Sequence, residues 1–396
     1  MVRAFELRYD MPQGILNPFW VSMRVLFVAQ YGPLAASSRT RVFQYCPYLE
    51  AEGVEADVNV VIPDRLVELL LHRGTLGRLL YLGLSFLRTV CVGCGCVLRI
   101  RLYDRVLIQK VLFPGPIALM LRPFRSRILY DFDDAIFTTD ESQHLLGRLS
   151  SWRRRRSLPR MLAGASTVVV ENDYTADYAR QFCDHVETIT GPIDTRRYTP
   201  CDRPDGVEVV LGWIGSPTTT AYLNDILSAI ARVAEERPHL VMRLVGASVV
   251  THDRIRIEHR SWSLESEVSD LASFDVGLMP LPDDSWTRGK GGYKLLQYGA
   301  MGLPVVASPV GVNTEIVEEG ITGFLADSED DWFESLLRLV DDEELRSRMG
   351  NAGRDRIVER YSLDLSSRRL IGILKNESIG SDTGSGCVGQ SGEGFR

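Results

Sequence analysis

"GKGGYKLLQYGAMGLPVVASPVGVN", residues 289–313, sets three glycines and two lysines ahead of an amphipathic run, then gives way to a short strand of buried type. Bare backbone lets a ligand come close, and a helix that starts behind it aims its first N–H groups outward. Arg288, Lys290 and Lys294 add fixed positive charge. A diphosphate fits that combination of Gly289, Gly291, Gly292 and cations. The plainer reading is a glycine-rich loop with solvated lysines. The strand "PVVASP" is apolar throughout, as expected for a parallel sheet covered on both faces.

Working outward, the same alternation recurs on both sides. "EVVLGWIG", "LVMRLVG", "DVGLMPL" and "GFLAD" read as strands separated by helical stretches in the second half of the chain. "RVLFVAQ", "VEADVNVVIP", "RVLIQKVLF", "SRILYDF" and "ASTVVVEN" do so in the first. In "RTRVFQYCPYLEAEG", Val42, Tyr45, Cys46 and Leu49 fall on one helical face that ends at Gly53. The period-free segment "TGPIDTRRYTPCDRPDGVE" separates the halves. The expected fold is α/β, with two Rossmann-like domains whose parallel sheets face an interdomain cleft. Residues 1–22 are read as an extension before a fresh start at Met23, residues 23–195 as the first domain and 196–207 as a linker. Residues 208–360 form the second domain, 361–376 a helix packing back on the first, and 377–396 a disordered Gly/Ser tail.

A chain of 396 residues with a net charge of −7 has no basis for broad nucleic-acid binding, so any cationic function must be local. Seven cysteines, an odd number, and no secretory leader point to a reducing, cytoplasmic setting. Cys91, Cys94 and Cys96 lack a second pair at metal-ligand spacing, and a buried apolar stretch is the expectation there. "LLYLGLSFLRTVCVGCGCVLRI" is interrupted by Arg88 and is expected to be core rather than a membrane span. The run Arg153 to Arg156 leaves two readings open, a solvated helix face or peripheral contact with the inner, anionic membrane surface.

Ligands of open parallel sheets bind beyond the carboxyl ends of strands, which directs attention to the loops there. After the first strand, Ser37 and Ser38 are placed to cap a helix, with Arg39 and Arg41 supplying charge. After the first strand of the second half, Gly215 allows close approach and Ser216 and Thr218 offer hydroxyls. In "DFDDA", Asp131, Asp133 and Asp134 follow a strand; a metal-binding aspartate pair, a phosphatase nucleophile and a cleft-facing loop compete. Too many strands precede Asp131 for the phosphatase reading, and the cleft loop, with Asp133 and Asp134 on its open side, is preferred. Trp262 is read either as a border to the base or as core.

Residues 289–361, with "ASSRTRVFQYCPYLEAEGVE", "LYDFDDAIF" and "NDYTADYA", resemble glycosyltransferases of family 4 (group 1) in the GT-B superfamily, over about Met23 to Tyr361. The resemblance implies a nucleotide-sugar donor held mainly by the second domain and a saccharide, lipid-linked or other small acceptor held by the first. It also implies transfer with retention, no obligatory metal and no cofactor. The donor set it suggests includes Tyr293, Leu295 and Gln297, with Gln297 on the ribose; Ser37, Ser38, Arg39 and Arg41 would face the acceptor. The family commonly carries glutamates at the positions of Gly289 and Gln297, a diphosphate-clamping arginine and lysine where "GSPTTTAYL" stands, and glycine at Glu171; Gly191 falls in a usually proline-bearing stretch. Arg288, Lys290 and Lys294 are taken to replace the clamp. A degenerate GT-B protein that binds nucleotide-sugar without turnover is the alternative these departures favour.

Overall fold

The computed structural model describes residues 23–71, 74–138, 145–201 and 208–376, so the expected extension, the tail and the second half of the expected linker lie outside the described residues. The first sheet holds β1 (Met23–Tyr31), β2 (Val54–Ile62), β3 (Arg105–Gln109), β4 (Ile128–Asp131), β5 (Thr167–Val170) and β6 (Val186–Thr188), all parallel, in the order β2-β1-β3-β4-β5-β6. Around it lie α1 (Ala36–Arg41), α2 (Cys46–Ala51), α3 (Asp64–Leu71), α4 (Gly74–Arg99), α5 (Gly115–Leu121), α6 (Leu145–Ala163) and α7 (Asp173–Arg180).

The second sheet is built from β7 (Val209–Ile214), β8 (Leu240–Val245), β9 (Arg256–Arg260), β10 (Val276–Met279), β11 (Val305–Ala307) and β12 (Gly323–Leu325), in the order β12-β11-β10-β7-β8-β9. Helices α8 (Leu227–Glu236), α9 (Glu267–Leu271), α10 (Tyr293–Ala300), α11 (Asn313–Ile316), α12 (Glu329–Asp341) and α13 (Glu343–Tyr361) connect and cover it. Helix α14 (Leu363–Lys375) then crosses back. Its Leu363, Leu370, Ile371, Ile373 and Leu374 are buried with Val25, Phe27, Leu107, Leu129 and Val169 of the first domain.

Strand order positions the site. The order of each sheet reverses direction at one place, between β1 and β3 in the first and between β7 and β10 in the second, and crevices open at such switch points. The segments that leave those four strands contain Ser37–Arg41 in α1, Lys110, Gly215–Thr218 and Asp283–Gly292.

Three local expectations are corrected. The continuous helix expected over residues 39–53 is broken into α1, a 3₁₀ turn at Phe43–Tyr45 and α2, because Val42 leaves the helical region (φ −133°, ψ −65°). Ser37 and Ser38 do not cap α1, whose N-cap is Ala35; they turn inward instead. The apolar stretch expected to be core lies in one 26-residue helix, α4, buried mainly toward its end, at Thr89, Val92, Gly93, Cys96 and just beyond at Ile100. Cys91 and Cys94 are exposed, contrary to a buried cysteine cluster.

Candidate functional site

On the first-domain side of the cleft, Arg41 forks onto Asp131. Its Nε lies 3.1 and 3.0 Å from the two carboxylate oxygens, Nη2 also binds Oδ2, and Nη1 donates to the Ile189 carbonyl at 2.6 Å. Glu171 Oε1 stands 3.7 Å from Nη1. Burial works against the Arg41 charge, but Asp131 and Glu171 outweigh it and hold the guanidinium protonated. The sequence reading gave Arg41 to the acceptor; the structure gives it two buried carboxyl partners and no free face. Asp131, as that partner, is equally unable to act as a nucleophile.

Lys110, which the sequence reading passed over, follows β3 in a left-handed conformation at φ 61°. That rare backbone state for a lysine turns its Nζ toward the β4 loop, 2.7 Å from Asp133 and 2.6 Å from Asp134. Burial opposes the charge on Lys110, and the two aspartates reverse the effect, raising its pKa. Asp133 moves the other way: burial would raise it, but Lys110 and a hydrogen bond from Ser37 bring it below the usual carboxylate range. Ser37 also accepts from Gln109 Nε2 at 2.9 Å, and Ser38 donates to Gln109 Oε1 at 2.9 Å. Arg39 reaches across the cleft, 3.9 Å from Glu267 and with its guanidinium 5.6 Å from the Trp262 ring centre. These contacts make Arg39 an interdomain link.

On the second-domain side, the loop after β10 is pinned by Asp284, which accepts from the Trp286 and Thr287 N–H groups at 2.8 Å each. Arg288 pairs with Asp283 at 2.6 and 2.8 Å in an exposed position, so it is already neutralised and stands apart from the expected clamp. Gly292, at φ 65°, starts α10 from a left-handed state that glycine alone adopts freely. Lys290 lies over the Trp286 ring at 5.5 Å, and Lys294 over the Trp213 ring at 5.3 Å. Neither has a carboxylate within salt-bridge distance among the described residues. Burial, with the neighbouring Lys290 charge, pulls Lys294 down to about 7. The chain has four lysines in all, Lys110, Lys290, Lys294 and Lys375, and two of them are in this loop.

Ser216 and Thr218 stand exposed beyond β7, their hydroxyls 2.8 Å apart, next to Gly215. Tyr293 is half-buried on the first turn of α10. Leu295 belongs to the second-domain core, which corrects its placement in the donor site. Gln297 is also buried, with Nε2 donating to Tyr198 Oη at 3.2 Å. Trp262 is half-buried, and its Nε1 donates to Glu267 at 2.7 Å. Glu267 thereby gathers Trp262, Tyr198, Arg39 and Arg197 into one buried knot.

The two halves touch along the loop that follows β10. Asn172 Nδ2 donates to the Lys290 carbonyl at 3.0 Å and the Arg288 carbonyl at 3.4 Å. A Cβ on Gly289 would stand 2.8 Å from Ala135 N and 3.0 Å from its Cα, and one on Gly291 would run into the Glu171 carboxyl. Gly289 is thus required by the backbone of the facing domain, whereas Gly291 leaves the room that the Glu171 carboxyl occupies. A Gly289→Glu variant should push the domains apart at this seam: its radius of gyration by small-angle scattering should rise and its activity should fall at least about tenfold, as a 1 Å displacement of aligned groups does. An unchanged scattering profile would show that the seam yields cheaply.

A family model described as glycosyl transferases group 1 matches residues 208–342. Among curated proteins, the chain is 26% identical over 227 residues to a GDP-mannose-dependent monoacylated alpha-(1-6)-phosphatidylinositol monomannoside mannosyltransferase of Corynebacterium glutamicum, covering 48% of this chain and 56% of that one. It is 30% identical over 193 residues to a D-inositol 3-phosphate glycosyltransferase of Kribbella flavida, covering 42% and 45%. The chain therefore spans about half the length of these relatives. Among solved structures, sucrose-phosphate synthase of Thermosynechococcus elongatus superposes with a TM-score of 0.66 at 14% identity, over 89% of this chain and 98% of that one. Anabaena HepE in complex with UDP and glucose does so with a TM-score of 0.60 at 14% identity, over 89% and 100%.

Proposed function

We propose, from the match of residues 208–342 to the group 1 glycosyltransferases and from the GT-B architecture, that the chain transfers a sugar from a nucleoside diphosphate sugar to a saccharide, lipid-linked or small-molecule acceptor, with retention at the anomeric carbon. The observation that carries the reading is the pair Lys290 and Lys294. They are cations without carboxylate partners, beside the bare backbone of Gly291 and Gly292 and at the switch point of the second sheet. Lys294 is held near the lower limit of its charged range, which is the state of a cation waiting for an anion. The curated mannosyltransferase relative and the UDP-bound neighbour support a nucleotide-sugar donor.

In this reading, the bond from the anomeric carbon to the diphosphate breaks as the acceptor oxygen bonds to that carbon on the same face. The electron pair leaves with the diphosphate, which takes the acceptor's proton. Lys290 and Lys294 stabilise the charge growing on the leaving group, and their two charges meet the electrostatic need without a metal. Asp133 and Asp134, drawn toward Lys110, line the opposite wall. Glu171 covers Gly291, and burial followed by the neighbouring aspartates raises its pKa well above the ordinary range, against the pull of Arg41.

Proton linkage gives the test. Lys294 in the free protein loses its proton as pH rises through about 7, whereas a bound diphosphate restores it. Above that pH the complex therefore holds more protons than its parts, so donor affinity should fall as pH rises and each binding event should take up as much as about one proton. Below it, Lys294 is protonated in both states and its linkage disappears. Calorimetry of UDP-glucose or GDP-mannose binding in buffers of different ionisation enthalpy reads the uptake directly. Binding with no uptake at pH 8, or with the same uptake in Lys294→Met, would remove Lys294 from the site.

A further inference from the structure

Helix α4 leaves the domain as an apolar arm. Leu79, Leu80, Leu82, Leu84, Phe86 and Leu87 are all exposed, Leu87 by 56% and Leu79 by 53%. Such a run on a water-facing surface exceeds the isolated leucines that a soluble domain ordinarily shows. The arm has the length and hydropathy of a membrane span, over Leu79–Leu102 with only 22% of its most apolar window buried, yet its far half is committed elsewhere. Val92, Gly93 and Cys96 are buried, Gly93 packs on Phe113 and Ile117, and Arg88 donates to the Val61 carbonyl at 2.6 Å. The free portion, residues 79–87, is roughly 13 Å long, less than half of a ~30 Å hydrocarbon core.

The charge beside the arm has one sign. Residues 74–102 and 145–163 contain no aspartate or glutamate. Arg153 of α6 lies over the Phe86 ring at 5.3 Å, and Arg156 over exposed Trp152 at 5.5 Å. Arg155 is exposed on the same turn. In a chain of net charge −7 this is a local cationic rim around an apolar surface. A surface that is apolar at its centre and basic at its edge complements a bilayer bearing anionic headgroups.

We propose that α4 and the arginines of α6 form a docking surface for an anionic lipid bilayer, with residues 79–87 lying in the headgroup region and Arg153, Arg155 and Arg156 on lipid phosphates. The surface adjoins the first-domain side of the cleft. Tyr81 and Tyr31, the last residue of β1, pack against the same core of the first domain. Asp64, which opens α3, accepts from the Leu34 N–H at 3.4 Å in the loop that carries Ser37. Docking there brings the acceptor side of the cleft to the membrane. The inference goes beyond the donor reading and stands on different residues.

The test is flotation of the full chain with vesicles of phosphatidylcholine alone and with a third of phosphatidylglycerol, at low and high salt. The chain should float with the anionic vesicles and lose most of that binding in high salt. Leu84→Glu/Leu87→Glu should reduce it at least about tenfold, and Arg153→Glu/Arg155→Glu should remove its salt-sensitive part. All four side chains project outward, and thermal stabilisation by a nucleotide-sugar should survive both variants, which separates failure here from failure of the donor reading. Wild-type protein left unbound with anionic vesicles, or bound equally by both variants, overturns the proposal. So does a wild-type dimer that the leucine variant converts to monomer without any vesicle binding, since a second copy would then be the partner.

Discussion

An Arg41→Ala variant should lose about 3–5 kcal/mol of stability in the first domain, the cost of leaving buried charge without its partner. Removing this guanidinium strands Asp131, and with it Glu171, inside the domain, and it frees the Ile189 carbonyl. Such a loss is a large share of the ~5–15 kcal/mol that ordinary domains possess. Urea denaturation should therefore show an early transition that belongs to the first domain, while the second domain, which lacks these contacts, unfolds near its wild-type midpoint. Arg41→Met/Asp131→Leu, which removes both charges, should recover part of the loss. A shift below about 1 kcal/mol for Arg41→Ala would mean that water reaches the pair and that its burial is overstated.

Lys294→Ala carries the largest expected effect on activity. A preorganised cation aimed at charge that develops on the leaving diphosphate is worth about 10²–10³ in rate when removed, and kcat/KM should fall by that amount. Folding should be unaffected, because Lys294 makes its recorded contact with the Trp213 ring and carries a depressed pKa, so its charge is a burden to the unliganded fold. Thermal melting of the variant without ligand should match or exceed that of wild type. A catalytic loss accompanied by an equally large fall in melting temperature would point to a structural role.

The alternation of apolar strands with amphipathic segments was enough to read two Rossmann-like units, because parallel strands buried on both faces leave a continuous hydrophobic signature. The pairing of bare backbone with unpartnered charge after β10 was legible for a different reason: Gly291, Gly292, Lys290 and Lys294 are neighbours in the chain, and residue type and local position are what a linear sequence displays. Arg41 was misread because its partner, Asp131, is 90 residues away, and no local pattern distinguishes a cation that faces a ligand from one that neutralises a buried carboxylate. Lys110 was missed because its importance comes from one unusual backbone angle. Leu295 and Gln297 share the helix of Lys294, but their faces of α10 turn into the core. The arm of α4 was misread because apolar content alone does not say which side chains a neighbour covers: Leu79, Leu84 and Leu87 are exposed.

Lysine footprinting resolves the central claim, since the chain has only four lysines and mass spectrometry can follow each. The protein would be acetylated briefly at pH 8 with and without a nucleotide-sugar chosen from UDP-, GDP- and dTDP-sugars by thermal stabilisation. The account predicts that Lys294 is highly reactive alone and that the ligand protects both Lys290 and Lys294, while Lys375, at the end of α14 against the first domain, keeps its rate. Unchanged labelling of Lys290 and Lys294 under a ligand that demonstrably binds would contradict it.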